Sequence, residues 1–214
     1  MSKPSAVQTA MPNHSPAMER LLEHCQRRHY PRRTTVIQAG TVPDTLYYVL
    51  GGSVSVLGEN NGHELVLAYL NRGEFFGELG LFEDDPRSAT VVTREDTDTA
   101  EIPYTRFREL AMRDPEILML LTRQIAARLR QTSRKVMDLA FVDVTGRIAH
   151  TLLDLAQQPD AMTHPDGMQL RITRQELARI VGCSREMAGR VLKELEERGL
   201  ISAHGKTIVV YGTR

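Results

Sequence analysis

Cysteine is scarce in this 214-residue chain: only Cys25 and Cys183 occur, far apart and in unrelated surroundings. Two such residues cannot build a disulfide framework, nor a zinc or iron–sulfur site from protein ligands alone. A reducing cytoplasm is the compartment that fits. Net charge is lacking as well. The 27 Lys and Arg balance 27 Asp and Glu, so any basic footprint for a polyanion has to be local. No apolar run approaches the roughly 20 residues of a membrane span, so no membrane partner is expected. The opening MSKPSAVQTAMPNHSP has no apolar stretch of signal-peptide kind, and residues 1–17 read as a floppy tail. Paired histidines and nucleophile–base constellations are also missing, which argues against an enzyme and against a metal site. What is present is 41% hydrophobic and 25% charged, enough for one large or two small globular domains.

The chain changes texture twice. Residues 30–104 carry short runs of β-branched and aromatic residues, such as TTVIQAG and DTLYYVLGGSVSVLG, separated by Gly, Asn-Gly and Asp-Pro turn signals. Many short strands at regular spacing predict a barrel or jelly roll. Residues 105–137 turn helical. On a wheel of about 100° per residue, Ile117, Leu118, Leu121, Ile125, Leu129 and Val136 share one stripe, with Arg123, Arg130 and Arg134 opposite. Such a stripe packs on its own domain or on a second copy of itself, and its persistence over several turns favours the second copy. Thr132 interrupts it: either the hydroxyl bonds back to a carbonyl one turn earlier, or it faces a ligand. Residues 138–214 return to short helices, with QQPDAMTHPDGMQ (residues 157–169) reading as a loop from its two prolines and glycine, and a final hairpin. The domain expectation is therefore a tail at 1–17, a β-roll plus long helix at 18–137, and a smaller domain at 138–214.

Residues 173–193 carry the strongest pattern. Thr173 can cap a helix, with Glu176 completing a capping box; Leu177, Ile180 and Val181 supply its apolar face, and Gly182 permits a tight turn. Ser184 can cap a second helix, whose Met187, Ala188, Val191, Leu192 and Leu195 segregate from Arg185, Glu186, Gly189, Arg190 and Lys193. This is helix-turn-helix order and spacing. Arginine can bond two guanine acceptors and a carboxylate can accept from the cytosine amino group, while glycine allows close approach to the major groove. Arg171, Arg174, Arg179, Arg185, Arg190 and Lys193 stand against only Glu176 and Glu186 over residues 171–193, a local surplus that suits phosphates of double-stranded DNA. LISAHGKTIVVYG then alternates and turns at His204-Gly205, as a wing would, with Lys206 at the turn.

In the β region the densest phrase is FGELGLFEDDPRSATV, residues 76–91. Arg87 and Ser88 offer a planar fork and a hydroxyl for a phosphate, Gly77 lets backbone approach an anion, and Glu78 can accept from a sugar hydroxyl. The competing reading is an internal Arg87–Glu78 ion pair without ligand.

Taken together, FGELGLFE, RSATV, LAFVDVTGRIAHTLLDLAQQPDAMTHPDGMQ and the stretch from ITRQELARIVGCSRE to GKTIVVYGTR resemble the Crp/Fnr family of transcription regulators, and within it the cAMP receptor proteins. The resemblance covers nearly the whole chain after the tail. It implies an α+β architecture: an N-terminal jelly-roll domain that binds cyclic nucleotide, a long dimerisation helix and a C-terminal winged helix-turn-helix domain. It implies a homodimer with cAMP held by Gly77, Glu78, Arg87, Ser88, Thr132 and, toward the partner's nucleotide, Ser133. DNA contacts fall on Arg174, Ser184, Arg185, Glu186, Gly189, Arg190 and Lys193, implying a two-fold, TGTGA-like operator. RNA polymerase contacts fall on Thr163 and His164, and on a second surface where Gln26, Arg28 and Arg106 stand. Two departures are visible: the turn between Glu78 and Arg87 is shorter than in those receptors, and Pro86 precedes the Arg. The helix-turn-helix stretch also resembles a relative that answers to cyclic di-GMP, but that relative departs at the Arg-Ser clamp, which this chain keeps. A haem-sensing alternative would need an axial ligand, for which His63 and Cys25 are the candidates.

Overall fold

The computed structural model describes residues 15–60, 62–83 and 85–213, the side chains of Asn60 and His63 excepted. Residues 1–14 of the expected tail lie outside this set. Its last residues are not tail-like: Ser15 caps helix α1 (Pro16–Leu22), which buries Ala17, Met18 and Leu21.

Eight strands follow, as the turn-punctuated β-branched runs predict. They are β1 (Gln26–Tyr30), β2 (Thr35–Ile37), β3 (Thr45–Gly51), β4 (Ser53–Asn60), β5 (His63–Asn71), β6 (Phe75–Phe76), β7 (Thr90–Thr93) and β8 (Thr97–Pro103). They pair antiparallel into two four-stranded sheets, ordered β1-β8-β3-β6 and β2-β7-β4-β5. Two apolar clusters fill this roll, one around Leu46, Phe75, Ile102 and Phe107 and one around Val49, Val54, Leu70 and Phe76. Each large side chain so buried stabilises the fold by about 1.5–3 kcal/mol.

The expected single helical stretch is in fact two helices, α2 (Tyr104–Arg113) and α3 (Pro115–Phe141). Pro115 disfavours helical backbone at the residue before it; Asp114 is extended (φ −134°, ψ 88°) and caps α3 through the Glu116 N–H. The helix also runs past residue 137, to Phe141. The stripe divides along its length. Ile117 and Leu121 pack into the β-roll core. Further along, Leu129, Val136, Met137, Leu139 and Phe141 are exposed in the single chain.

An extended Val142 ends α3, and Asp143 caps α4 (Val144–Ala156) by accepting from the Gly146 N–H. Residues 157–169 were expected to form a loop, but Met162–His164 (β9) and Gly167–Arg171 (β10) pair as a hairpin turning at Pro165-Asp166. Then come α5 (Arg174–Val181), α6 (Arg185–Glu197), β11 (Ile201–His204) and β12 (Thr207–Tyr211). The wing hairpin is as expected, but it belongs to a four-stranded sheet, β11-β12-β10-β9. One core, including Ile148, Leu152, Leu177, Val191, Leu192 and Ile208, joins these helices to that sheet. No described helix is long and apolar enough to cross a membrane.

Candidate ligand site and nucleic-acid interface

β6 is followed by Gly77, whose φ of +74° is left-handed. A Cβ there would lie 2.8 Å from Arg87 Nη1, 3.1 Å from Ile37 Cδ1 and 3.2 Å from Tyr47 Cδ2. Backbone angle and space both require glycine at this point. Glu78 comes next, buried, and opens the 3₁₀ turn Leu79–Leu81.

Arg87 is 9% exposed and pinned at both ends. Its backbone N–H donates to Thr41 O at 2.9 Å, and its carbonyl accepts from the Gly40 N–H at 2.8 Å. In the guanidinium, Nη1 donates to Gly77 O (2.8 Å) and Tyr104 Oη (2.7 Å), and Nη2 to Thr45 O (2.8 Å). Tyr104 Oη in turn donates to Gly77 O. Burial raises the Tyr104 pKa, and the neighbouring Arg87 opposes that shift. Three of the five guanidinium donors are thereby used. The two left, one on Nε and one on Nη2, remain to donate to the oxygens of a phosphate or carboxylate.

The competing Arg87–Glu78 ion pair is not formed. Glu78 Oε1 instead accepts from Arg128 Nη1 of α3 at 2.6 Å. Among the described residues no carboxylate lies within ion-pair distance of Arg87, a nearly buried cation with only neutral partners. Ser88, beside it, is exposed, as are Thr132 and Ser133 on α3. Thr132 stands one turn beyond Arg128, on the same helix face. The back-bond considered for Thr132 is made instead by Ser133, to Leu129 O at 2.9 Å.

Arg128, Gln124 and Tyr104 escaped the sequence reading. Gln124 and Arg128 had a usable signal: on the α3 wheel Arg128 falls within the apolar stripe and Gln124 at its edge beside Ile117, where a polar side chain requires a partner. Tyr104 had none, since an aromatic closing a strand reads as core.

The haem candidates gain nothing. Burial pushes the Cys25 thiol up to about 12, which disfavours the thiolate a metal needs, and the side chain of His63 lies outside the described residues. No group of three or more described His, Cys, Asp or Glu residues is arranged to hold a metal ion.

In the smaller domain, Thr173 Oγ1 accepts from Glu176 N–H and Ser184 Oγ from Met187 N–H, each at 3.1 Å. Gly182 turns the chain at φ +72°. Ala188, Val191, Leu192 and Leu195 are buried, while Arg174, Arg185, Glu186, Arg190 and Lys193 are exposed along one face. Gly189 is half-buried, with Arg174 Cδ 3.8 Å from where its Cβ would be. Two details differ from expectation. The Glu176 carboxylate accepts from Tyr69 Oη of β5 at 3.4 Å instead of closing a capping box. Arg179 turns to Glu64 of β5 at 3.0 Å, so it leaves the cationic patch.

The five remaining candidates fall on two groups of elements. Thr163 is exposed on β9, and His164 accepts from the Asp166 N–H at 3.3 Å. Arg28 and Gln26 are exposed on edge strand β1. Arg106 of α2 pairs with Glu109 at 2.8 Å and reaches His24, just before β1, at 3.4 Å.

Known proteins share both halves. Residues 27–114 match the cyclic nucleotide-binding domain, and residues 146–211 the Crp-like helix-turn-helix domain. The chain is 59% identical over 202 residues to the cAMP-activated global transcriptional regulator Vfr of Pseudomonas aeruginosa, covering 92% of this chain and 94% of Vfr. It is 58% identical over 205 residues to the cAMP-activated global transcriptional regulator CRP of Escherichia coli O157:H7, covering 95% and 98%. Among solved structures, the c-di-GMP responsive global regulator CLP of Xanthomonas campestris superposes with a TM-score of 0.85 at 52% identity, covering 92% and 99%. A buried arginine fork in a β-roll, a long helix and a helix-turn-helix thus occur in one continuous match, and the chain belongs to the Crp/Fnr family of transcription regulators.

Proposed function

We propose that this chain is a cAMP-dependent, homodimeric regulator that binds a two-fold, TGTGA-like operator and recruits RNA polymerase in the cytoplasm. The observation that carries the ligand half is Arg87, nearly buried, with no carboxylate partner among the described residues and with donors on Nε and Nη2 left over. Burying a cation is costly unless an anion meets it, and a cyclic phosphate supplies two oxygens at the right spacing. Ser88 adds a hydroxyl at the mouth. Glu78, its Oε1 taken by Arg128, keeps Oε2 for a ribose hydroxyl, with the Gly77 backbone alongside. Thr132 and Ser133 meet the base, Thr132 from the same protomer and Ser133 toward the partner's nucleotide. That sharing requires the exposed stripe of α3 to be covered by a second copy, and the apolar Leu129 and Val136 fit such a seam.

Arg185, Glu186 and Arg190 read base edges, Lys193 and Arg174 hold phosphates, and Ser184 and Gly189 set the approach of α6. Polymerase contacts are assigned to Thr163 and His164 and, separately, to Arg28 and Arg106. No metal has a role in this scheme. A second reading, cyclic di-GMP as the switch, is favoured by the likeness to CLP; the retained Arg87-Ser88 pair supports cAMP. Titration of the purified protein with cAMP, cGMP and cyclic di-GMP, with operator binding as readout, tests both. Tighter operator binding with cyclic di-GMP alone would refute the cAMP assignment.

A further inference from the structure

β6 is the edge strand of its sheet, paired on one side with β3 through Tyr47↔Phe76 and Tyr48↔Phe75. Its other side is met by side chains of α3. The Phe75 N–H donates to Gln124 Oε1 at 2.8 Å, and the Phe75 carbonyl accepts from Arg128 Nη2 at 2.7 Å. Gln124 Nε2 also donates to Gly73 O at 2.8 Å, and Arg128 Nη1 holds Glu78. Two side chains one helical turn apart thus stand in for a further strand along residues 73–78. The spacing suits the role: four helical residues advance about 6 Å, close to the roughly 6.6 Å of two extended residues. Phe75 and Phe76 are each 1% exposed, so the strand is anchored in the core and cannot follow α3 if the helix shifts along its axis.

We propose that Gln124 is a positioning residue that couples the ligand site to α3. This rests on the reading of the site as a cyclic-nucleotide switch. Among the described residues, the Gln124 side chain bonds only backbone of the segment that leads into Gly77 and Glu78. By fixing the register of that segment against α3, it makes ligand contacts at Glu78 and at Thr132 act on one rigid unit. The same helix continues into the elbow before α4, so its position bears on the DNA-reading domain. Without the clamp, ligand still finds Arg87, but the response of α3 is looser.

The test compares wild type with Gln124→Met, similar in length but unable to make these bonds, and Gln124→Glu, which keeps the acceptor for Phe75 and loses the donor to Gly73. Calorimetry with cAMP reads ligand affinity. Operator binding with and without saturating cAMP reads the coupling, and amide hydrogen exchange reads the Phe75 N–H. In Gln124→Met, cAMP affinity is expected within about threefold of wild type, while the coupling ratio falls about tenfold, within the usual range of allosteric coupling. Phe75 exchange accelerates in Gln124→Met, and Gln124→Glu lies between on both measures. An unchanged coupling ratio, or a loss of cAMP affinity as large as the loss of coupling, overturns the proposal. A wild type that ignores cAMP refutes the ligand assignment instead; Gln124 is then judged on the exchange alone, with faster Phe75 exchange in Gln124→Met upholding the clamp and an unchanged rate overturning it.

Discussion

Arg94 lies over the ring of Tyr69, its guanidinium carbon 4.0 Å from the centroid, and together they tie the β-roll to the DNA-reading domain. Arg94 reaches Asp160 at 2.8 Å, while Tyr69 Oη donates to Glu176 at the start of α5. Asn71 and Gln158, at 2.8 Å, add a third tie. Burial first, then the facing Glu176, raise the Tyr69 pKa, so the phenol keeps the proton it donates. Removing the cation–π contact forfeits about 0.5–2 kcal/mol. In Arg94→Ala we expect faster amide exchange in residues 157–161 and in the first turn of α5, with the β-roll core unchanged. Identical exchange in both proteins would rule the tie out.

Gly77→Ala is expected to act twice. The left-handed backbone costs a non-glycine residue about 1–2 kcal/mol, and the added methyl falls on Arg87 Nη1. Thermal melting should show the first effect and a weaker cAMP affinity the second. A variant with native melting and native affinity contradicts this geometry.

Arg87→Leu is expected to abolish cAMP binding. It also leaves the carbonyls of Gly77 and Thr45 without their cation, at a cost of about 1–3 kcal/mol. Arg87→Lys keeps the charge but lacks the planar fork, so its affinity should lie between the two. Calorimetric titration decides; wild-type affinity in Arg87→Leu would remove Arg87 from the site.

Glu186→Ala and Lys193→Ala should separate. The first relaxes preference at one base pair by about 1–3 kcal/mol, and the second weakens all sequences and lowers the salt slope by about one. The exposed Lys193–Glu197 contact at 3.6 Å contributes little to folding, so neither variant should unfold. Selection of bound DNA returning the wild-type motif for Glu186→Ala would refute base reading.

Leu129→Glu is expected to weaken self-association by about ten- to a hundredfold, the equivalent of one buried leucine at about 1.5–3 kcal/mol. Sedimentation across a concentration series measures it. A variant that associates as wild type places the seam elsewhere.

Much of this molecule is legible along the chain because the signals are local. The caps Thr173 and Ser184, the turn at Gly182 and the segregated faces of α6 depend on residues a turn or less apart. Periodicity likewise marks the strands and the stripe of α3. What tertiary structure alone decided are the long-range partners: Glu78 with Arg128 rather than Arg87, Glu176 with Tyr69 rather than its own helix end, and Arg179 with Glu64 rather than solvent. Each choice sets one charge among several of similar chemistry, and only the packing of distant elements brings one partner within hydrogen-bond reach. The split at Asp114-Pro115 lies between these cases, written in one proline but masked by the apolar repeat that continues across it.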